Sequence, residues 1–379
     1  MIKTGITGQA GFVGTHLYNT LGLSPDRYER VPFQDSFFQG EGQLEEFVKK
    51  CDVIVHLAAM NRHNDPEVIY RTNISLVHQL IRAMESTGSR PHVIFASSTQ
   101  EERDNLYGKS KREGRAMLEQ WAVTHHARFT GLIIPNVFGP FGNPYYNSVV
   151  ATFCHQLTHD ETPKIDIDCE MKLIYVGELV AEITGRMTEP ATDSDPGKAV
   201  TTVHVPHTSR TRVSELLDKL LAFKTGYFAK GEIPSLDTAF DRNLFNTLLT
   251  YMDHASFFPF KLKLNTDQRG SFVETVKLNS GGQVSFSTTV PGITRGNHFH
   301  TRKAERFAVI KGKALIELRR IGSGEVLSFE LDGREPSFVD MPVWYTHNIK
   351  NTGNEELYTI FWINEHFNPA DPDTYFEQV

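Results

Sequence analysis

Three groups of residues have the types and spacing that chemistry requires. The first is Gly8-x-x-Gly11-x-x-Gly14. Glycines so spaced let the backbone turn tightly and approach a pyrophosphate, while a following helix offers unpaired N–H groups and the positive end of its dipole. The residue that distinguishes NAD from NADP belongs about 20 residues further on. Arg27, Arg30 and Asp35 all fall in that neighbourhood, which leaves both forms open. The second group is Tyr107-Gly108-Lys109-Ser110-Lys111, with Ser98 upstream. On a helix Tyr107 and Lys111 lie one turn apart on one face. An ammonium beside a phenol favours the phenolate, which suits a tyrosine to proton exchange near neutral pH. Ser98 is placed to hold a substrate oxygen by hydrogen bonding. The third group is His298-Phe299-His300, then Glu305 and, downstream, His347. Alternate residues of a strand share a side. Three imidazoles and a carboxylate suit zinc, iron, manganese or nickel better than calcium or magnesium.

These groups need elements to hold them. A strand over Ile2–Thr7 leads into the glycine turn and a helix through Leu21. Asp52–Ala59 is a β-branched apolar run ending in small residues, as a buried parallel strand does. Asn73–Glu85 has helical apolar spacing, His92–Ala96 reads as strand, Tyr107–Trp121 as helix and Thr130–Ile134 as strand. The alternation predicts an α/β, doubly wound parallel sheet. Beyond about residue 260 the pattern changes. Gln283–Thr289, Arg306–Ile310, Ala314–Arg319 and Tyr358–Ile363 read as short strands between Gly, Pro and Asn/Asp turns, which predicts an antiparallel small barrel or jelly roll. The aromatic stretch Tyr251–Phe260, with Pro259, reads as the junction. The expected domains are therefore 1–250 and 260–379, in keeping with roughly 150 residues per domain as a soft prior.

Composition narrows the class. With 39 Lys+Arg against 46 Asp+Glu among 379 residues, the net charge is −7, and no basic block attracts nucleic-acid phosphates. Cys51, Cys154 and Cys169 are too few and too scattered for a disulfide framework or a cysteine zinc site. No apolar run is long enough for a membrane span, and Met1–Gly8 reaches glycine too early for the apolar core of a signal peptide. A protein of the reducing cytoplasm, binding neither nucleic acid nor membrane, is expected.

Gly8–Gly14, the Asp52–Ala59 strand, Ser98, Tyr107 with Lys111, and Asn136-Val137-Phe138-Gly139 together resemble an extended short-chain dehydrogenase/reductase acting on nucleotide sugars. The resemblance covers residues 1–245. It implies Tyr107 as acid/base, Lys111 as its electrostatic partner, Ser98 as ligand of the carbonyl oxygen and Asn136 beside the substrate. The cofactor would lie against Gly8, Gly11, Phe12, Val13, Gly14, Leu57, Ala58, Ala59, Tyr107 and Lys111. Only nine positions separate Ser98 from Tyr107, fewer than in most extended members, which brings Thr99 forward as the alternative to Ser98.

The histidine-rich region resembles both metal-binding motifs of the cupin barrel, with Trp344 where a glycine is usual. Asp267–Glu274 and Arg295–Phe299 also resemble segments of cupin-type sugar-nucleotide epimerases acting on 4-keto-6-deoxyhexoses, in which the histidine matching His298 is a general base. A histidine bound to metal through its basic nitrogen cannot also take a carbon-bound proton. The complete set His298, His300, Glu305 and His347 favours metal, which leaves the epimerase base unassigned. Arg295 is expected to touch substrate.

A glycine-turn reductase followed by a cupin resembles the bifunctional CapF-type family of capsular and O-antigen polysaccharide synthesis. The likeness includes Tyr145–Cys154 and the closing Asn368-Pro369-x-x-Pro372-Asp373-Thr374-Tyr375-Phe376. The family shares the short gap before the tyrosine, which favours Ser98. It implies the UDP-N-acetyl-L-fucosamine route: a UDP-4-keto-6-deoxy-N-acetylhexosamine epimerised at C3 in the cupin, then reduced at C4 with NADPH. It also implies a homodimer, and Zn2+ is the metal expected at the four ligands. Two other readings are an epimerase or dehydratase that recycles bound NAD, and a reductase whose barrel serves only for dimerisation.

Overall fold

The computed structural model describes residues 1–40, 42–189 and 199–379, which form two compact units. The first comprises Met1–Phe138, Gly142–Val149 and Cys169–Thr211. Its six parallel strands lie in the order Tyr28–Val31, Ile2–Thr7, Val53–His56, His92–Ser98, Phe129–Ile134, Val200–His204. Both faces are covered, and strand periodicity sorts the side chains. Ile54, Val93 and Phe95 enter one core with Leu80, Met84 and Leu118. Val53, Val55 and Ile94 enter the other with Leu17, Leu179 and Ile183. The chain leaves Ile2–Thr7 for one neighbour and returns to pair Val53–His56 on its other side. That reversal opens a crevice at the carboxyl ends of these two strands. The strands Tyr28–Val31 and Val200–His204 carry no strong sequence signal. Helix Pro66–Thr87 begins earlier than the apolar spacing suggests, because Asp65 caps it and Pro66 opens its first turn.

The second unit comprises Gly139–Phe141, Val150–Asp168 and Arg212–Val379. Two five-stranded antiparallel sheets form its cupin jelly roll. One is ordered Phe260–Lys261, Ser337–Met341, Glu305–Lys311, Leu357–Ile363, Gln283–Thr289. The other is ordered Val326–Asp332, Lys313–Arg320, Tyr345–Asn351, Thr294–Phe299, Tyr375–Phe376. Helices Val213–Phe223 and Ala239–Leu249 fall within this unit, so its boundary differs from the expected 250/260 division. The reason lies in a buried polar knot. Arg306 Nε and Nη2 donate to the Asp340 carboxylate at 2.7 and 2.8 Å, and Arg306 Nη1 donates to Gly231 O at 2.5 Å. The Tyr227 hydroxyl donates to Asp340 at 2.6 Å. Removing one partner of such a buried pair costs about 3–5 kcal/mol, which fastens the 224–231 segment to the barrel. The stretch Tyr251–Phe260 is likewise packed: Phe257 stacks on Tyr227, and Phe258 is buried against Phe338. Among the described residues no helix is long and apolar enough to cross a membrane.

Candidate functional site

The crevice of the first unit is a cavity of about 760 Å³. Its wall includes Gly8, Gly11, Phe12, Val13 and Gly14, then Leu57, Ala58 and Ala59, and finally Ser98, Tyr107, Lys111 and Asn136. Every residue expected from the reductase resemblance thus lines one space. At Gly14 a Cβ would stand 2.2 Å from Gly8 O, so the helix Phe12–Gly22 starts in direct backbone contact with the turn. No side chain caps that helix, and its first N–H groups face the space an anion would take. The neighbouring strand end is fastened by Thr7, whose hydroxyl shares a hydrogen bond with His56 Nδ1 at 2.7 Å and accepts from Ala58 N at 3.3 Å. Burial, helped by the Lys111 charge, brings His56 down to about 3 and keeps its imidazole neutral.

Tyr107 is set by the start of its helix, Leu106–His125, where the Asn105 side chain accepts from Gly108 N at 2.7 Å. At Gly108 a Cβ would fall 1.9 Å from Gln100 O. The helix therefore lies directly on the turn Thr99–Glu102, which Ser98 caps by accepting from Gln100 N. That contact explains how a gap of nine residues still brings Ser98 and Tyr107 to one cavity. Thr99 is exposed. No sequence pattern marks Asn73, yet it holds this wall together. It accepts from Met60 N at 2.7 Å, donates to Met60 O at 3.1 Å and donates to Ser110 Oγ at 3.0 Å, tying the 57–61 loop to the tyrosine helix.

The protonation states correct one expectation. Lys111 Nζ donates to Ala96 O at 2.9 Å and stands 5.8 Å from the Tyr107 ring centroid. Burial, with a smaller effect from Tyr146, pushes the Tyr107 phenol up to about 12. Desolvation thus holds the phenol in its protonated form, above the near-neutral range expected from the Tyr107–Lys111 spacing.

In the second unit His298, His300, Glu305 and His347 each offer one ligand atom, and these atoms all lie within 4.8 Å of one another. The strand Thr294–Phe299 bulges between Gly296 and His298, with Asn297 at φ 57°, which sets His298 opposite His347. His300 Nδ1 is hydrogen-bonded to Asp373 O, and His347 Nδ1 to Tyr345 O at 3.2 Å, so both rings turn Nε2 inward. His300 Nε2, His347 Nε2 and Glu305 Oε2 are buried without a hydrogen-bond partner. The two nitrogens stand 3.2 and 3.1 Å from that oxygen. Burial would raise Glu305, but the two imidazoles outweigh it and hold the carboxyl below its ordinary range. Burial and the other two histidines lower His298 to about 4, leaving its lone pair available. Orphaned donor atoms of this kind fit a transition metal.

Trp344, at the position where a glycine is usual, has a left-handed backbone with φ 63°, at a cost of about 1–2 kcal/mol. Its ring stacks on Phe299, and the Trp344 backbone N–H donates to His300 O at 2.7 Å. Asp373, from the closing motif, also belongs to the site. Its carboxylate accepts from Thr301 N and Oγ1, Arg302 N and Lys303 N, which fixes the loop between His300 and Glu305. Arg295 is exposed, with its guanidinium donating to Thr288 O at 3.3 Å. Asp267 and Arg269 pair with each other at 2.5 Å on the exposed hairpin Leu264–Asp267/Gly270–Val273.

Fold and sites together define a Rossmann unit of the epimerase/dehydratase kind joined to a cupin barrel that carries a cluster of three histidines and a glutamate. Residues 5–200 match the NAD dependent epimerase/dehydratase family, and residues 265–375 match the Polysaccharide biosynthesis C-terminal domain. A Pseudomonas aeruginosa UDP-2-acetamido-2,6-beta-L-arabino-hexul-4-ose reductase is 34% identical over 99% of this chain and 98% of its own. The crystal structure of the capsular polysaccharide assembling protein CapF from Staphylococcus aureus is 34% identical, with a TM-score of 0.63 over all of both chains. The NADPH complex of Pseudomonas aeruginosa RMD is 19% identical, with a TM-score of 0.52 over 59% of this chain and 83% of that one, a likeness of fold. The chain belongs to the CapF-type family, in which an epimerase/dehydratase unit precedes a polysaccharide-biosynthesis barrel.

Burial brings the Lys111 ammonium down from 10.5 to about 8, with Glu101 opposing the shift. The folded chain thus holds this proton less tightly than the unfolded chain, so stability rises as pH climbs from about 8 to 10.5. Lys111→Met should remove that slope. At pH 7 its urea unfolding should be unchanged or more stable by about 1–3 kcal/mol. Destabilisation of that size would show instead that the ammonium supports the fold.

Proposed function

We propose that this protein performs two successive steps on a UDP-4-keto-6-deoxy-N-acetylhexosamine in the synthesis of UDP-N-acetyl-L-fucosamine for capsule or O-antigen. The cupin unit epimerises C3. The Rossmann unit then reduces the C4 ketone to UDP-N-acetyl-6-deoxy-L-talosamine. The observation that carries the reading is a half-buried Tyr107 one helical turn from the buried Lys111 in the cavity of the glycine turn, in a chain one-third identical to a UDP-keto-sugar reductase.

A reduced nicotinamide dinucleotide, when bound, supplies the hydride for C4. The chain's residues supply the rest. The glycine turn and the N-terminus of Phe12–Gly22 hold the pyrophosphate, with Leu57, Ala58 and Ala59 along the other wall. Ser98 donates a hydrogen bond to the ketone oxygen, and Asn136 lies beside the sugar. Tyr107 gives its proton to the oxygen at C4 as negative charge develops there. A phenol held near 12 is loaded for that transfer at neutral pH, and the Lys111 ammonium then stabilises the phenolate left behind.

The order follows from the ketone. A C4 carbonyl acidifies the hydrogen on C3, because the enolate spreads its charge onto oxygen. Epimerisation therefore needs the ketone intact, and reduction locks the configuration. In the barrel, His298, His300, Glu305 and His347 would hold zinc, which supplies Lewis acidity when bound. The Nδ1 bonds of His300 and His347 keep their Nε2 lone pairs directed at it. The homodimer implied by the family resemblance is part of the proposal.

Tyr107→Phe keeps the ring and removes the proton donor. Dinucleotide binding should persist while its oxidation by ketosugar falls by about 10²–10⁴-fold; near wild-type turnover would remove Tyr107 from the mechanism. Metal analysis of the purified protein should find about one zinc per chain, lost when His298 and His347 are both changed to Ala. Protein free of metal after purification from metal-replete cells would favour His298 as a base.

A further inference from the structure

In a parallel sheet of this kind the adenosine ribose lies between the glycine turn and the carboxyl end of the adjoining strand. A side chain about 20 residues past the turn meets its 2′ position, a carboxylate for a free hydroxyl and a cation for a phosphate. Here the adjoining strand is Tyr28–Val31, paired in parallel with Ile2–Thr7 so that Val31 stands beside Gly5. Just beyond it, Asp35 lines the same cavity as Gly8, Gly11 and Gly14. Asp35 is exposed and lies 21 residues past Gly14.

The nearby cations are committed elsewhere. The Arg30 guanidinium lies 4.2 Å from the Tyr18 ring centroid and donates to Tyr18 O at 3.2 Å. Arg27 sits over Tyr28 at 5.3 Å. Within the glycine turn, Gln9 and Ala10 are uncharged. Two cations do line the cavity, each tied to a carbonyl: Lys111 to Ala96 O below Tyr107, and Arg62 to Tyr145 O.

We propose that Asp35 selects NADH over NADPH, so that the hydride donor of this chain departs from the NADPH its family resemblance implies. A carboxylate accepts hydrogen bonds from a ribose diol and repels a 2′-phosphate, which carries nearly two negative charges. The inference rests on the reading of the glycine-turn cavity as a dinucleotide site.

Equilibrium titration of the full-length protein with NADH and with NADPH, followed by calorimetry, tests it without turnover. Wild type should bind NADH at least about tenfold more tightly than NADPH. Asp35→Ser should shrink that preference, and Asp35→Arg should reverse it. Asp35 is exposed, so both variants should fold, which circular dichroism checks. Equal or tighter binding of NADPH by wild type would overturn the proposal and leave the dinucleotide site standing. A preference untouched by either substitution would assign selection to another residue. Binding of neither nucleotide would overturn the site and the proposal together.

Discussion

Backbone contact at distances that no side chain permits is the constraint on which the reductase cavity depends. The first helix begins against its own turn at Gly14, and the tyrosine helix begins against the Thr99–Glu102 turn at Gly108. A Cβ at either place would stand about 2 Å from a carbonyl oxygen, far inside contact distance. These two contacts decide where the N-terminus of one helix and the phenol of another stand. The Thr7–His56 bond and the Asn73 clamp then tie the remaining wall to them. Catalytic geometry here is a consequence of packed main chain, with side chains attached to a frame that has little room to move.

Both sites also hold buried polar groups that the fold alone leaves under-satisfied. Lys111 is desolvated, with the Ala96 carbonyl as its hydrogen-bond partner among the described residues. In the barrel, two imidazole nitrogens and a carboxylate oxygen converge without hydrogen bonds. Such arrangements oppose folding and become favourable when a ligand supplies the missing charge or coordination. Around that cluster the Phe299–Trp344 stack and the donors to the Asp373 carboxylate fix the neighbouring chain.

Local spacing is legible in the amino-acid sequence itself. The glycine triplet after a strand, the four-residue step from Tyr107 to Lys111, and the alternate histidines each imply proximity through the geometry of one element. Residues acting across the chain are not legible in this way. Asn73 reaches Ser110 across 37 positions with no local pattern to mark it, and Asp373 reaches Thr301 across 72, a contact that its place in the closing motif does not reveal. Helices 213–223 and 239–249 read as part of the first domain because their amphipathic pattern does not say which core they cover. The Tyr107 phenol departs from its expected state for a related reason. Spacing implies a neighbouring charge, whereas desolvation, which depends on the whole surrounding fold, decides the sign.

In the proposed sequence carbon acidity is used first, in the barrel, and hydride acceptance follows in the Rossmann unit. Proton NMR of the UDP-4-keto-6-deoxy-N-acetylhexosamine in D2O, with Tyr107→Phe protein and no dinucleotide, tests it most directly. Enolisation needs the ketone and the barrel but neither Tyr107 nor a hydride. The account therefore predicts that the C3 proton signal disappears at the wild-type rate. Retention of that signal with Tyr107→Phe, and its loss with wild type, would place epimerisation in the Rossmann unit and contradict the account.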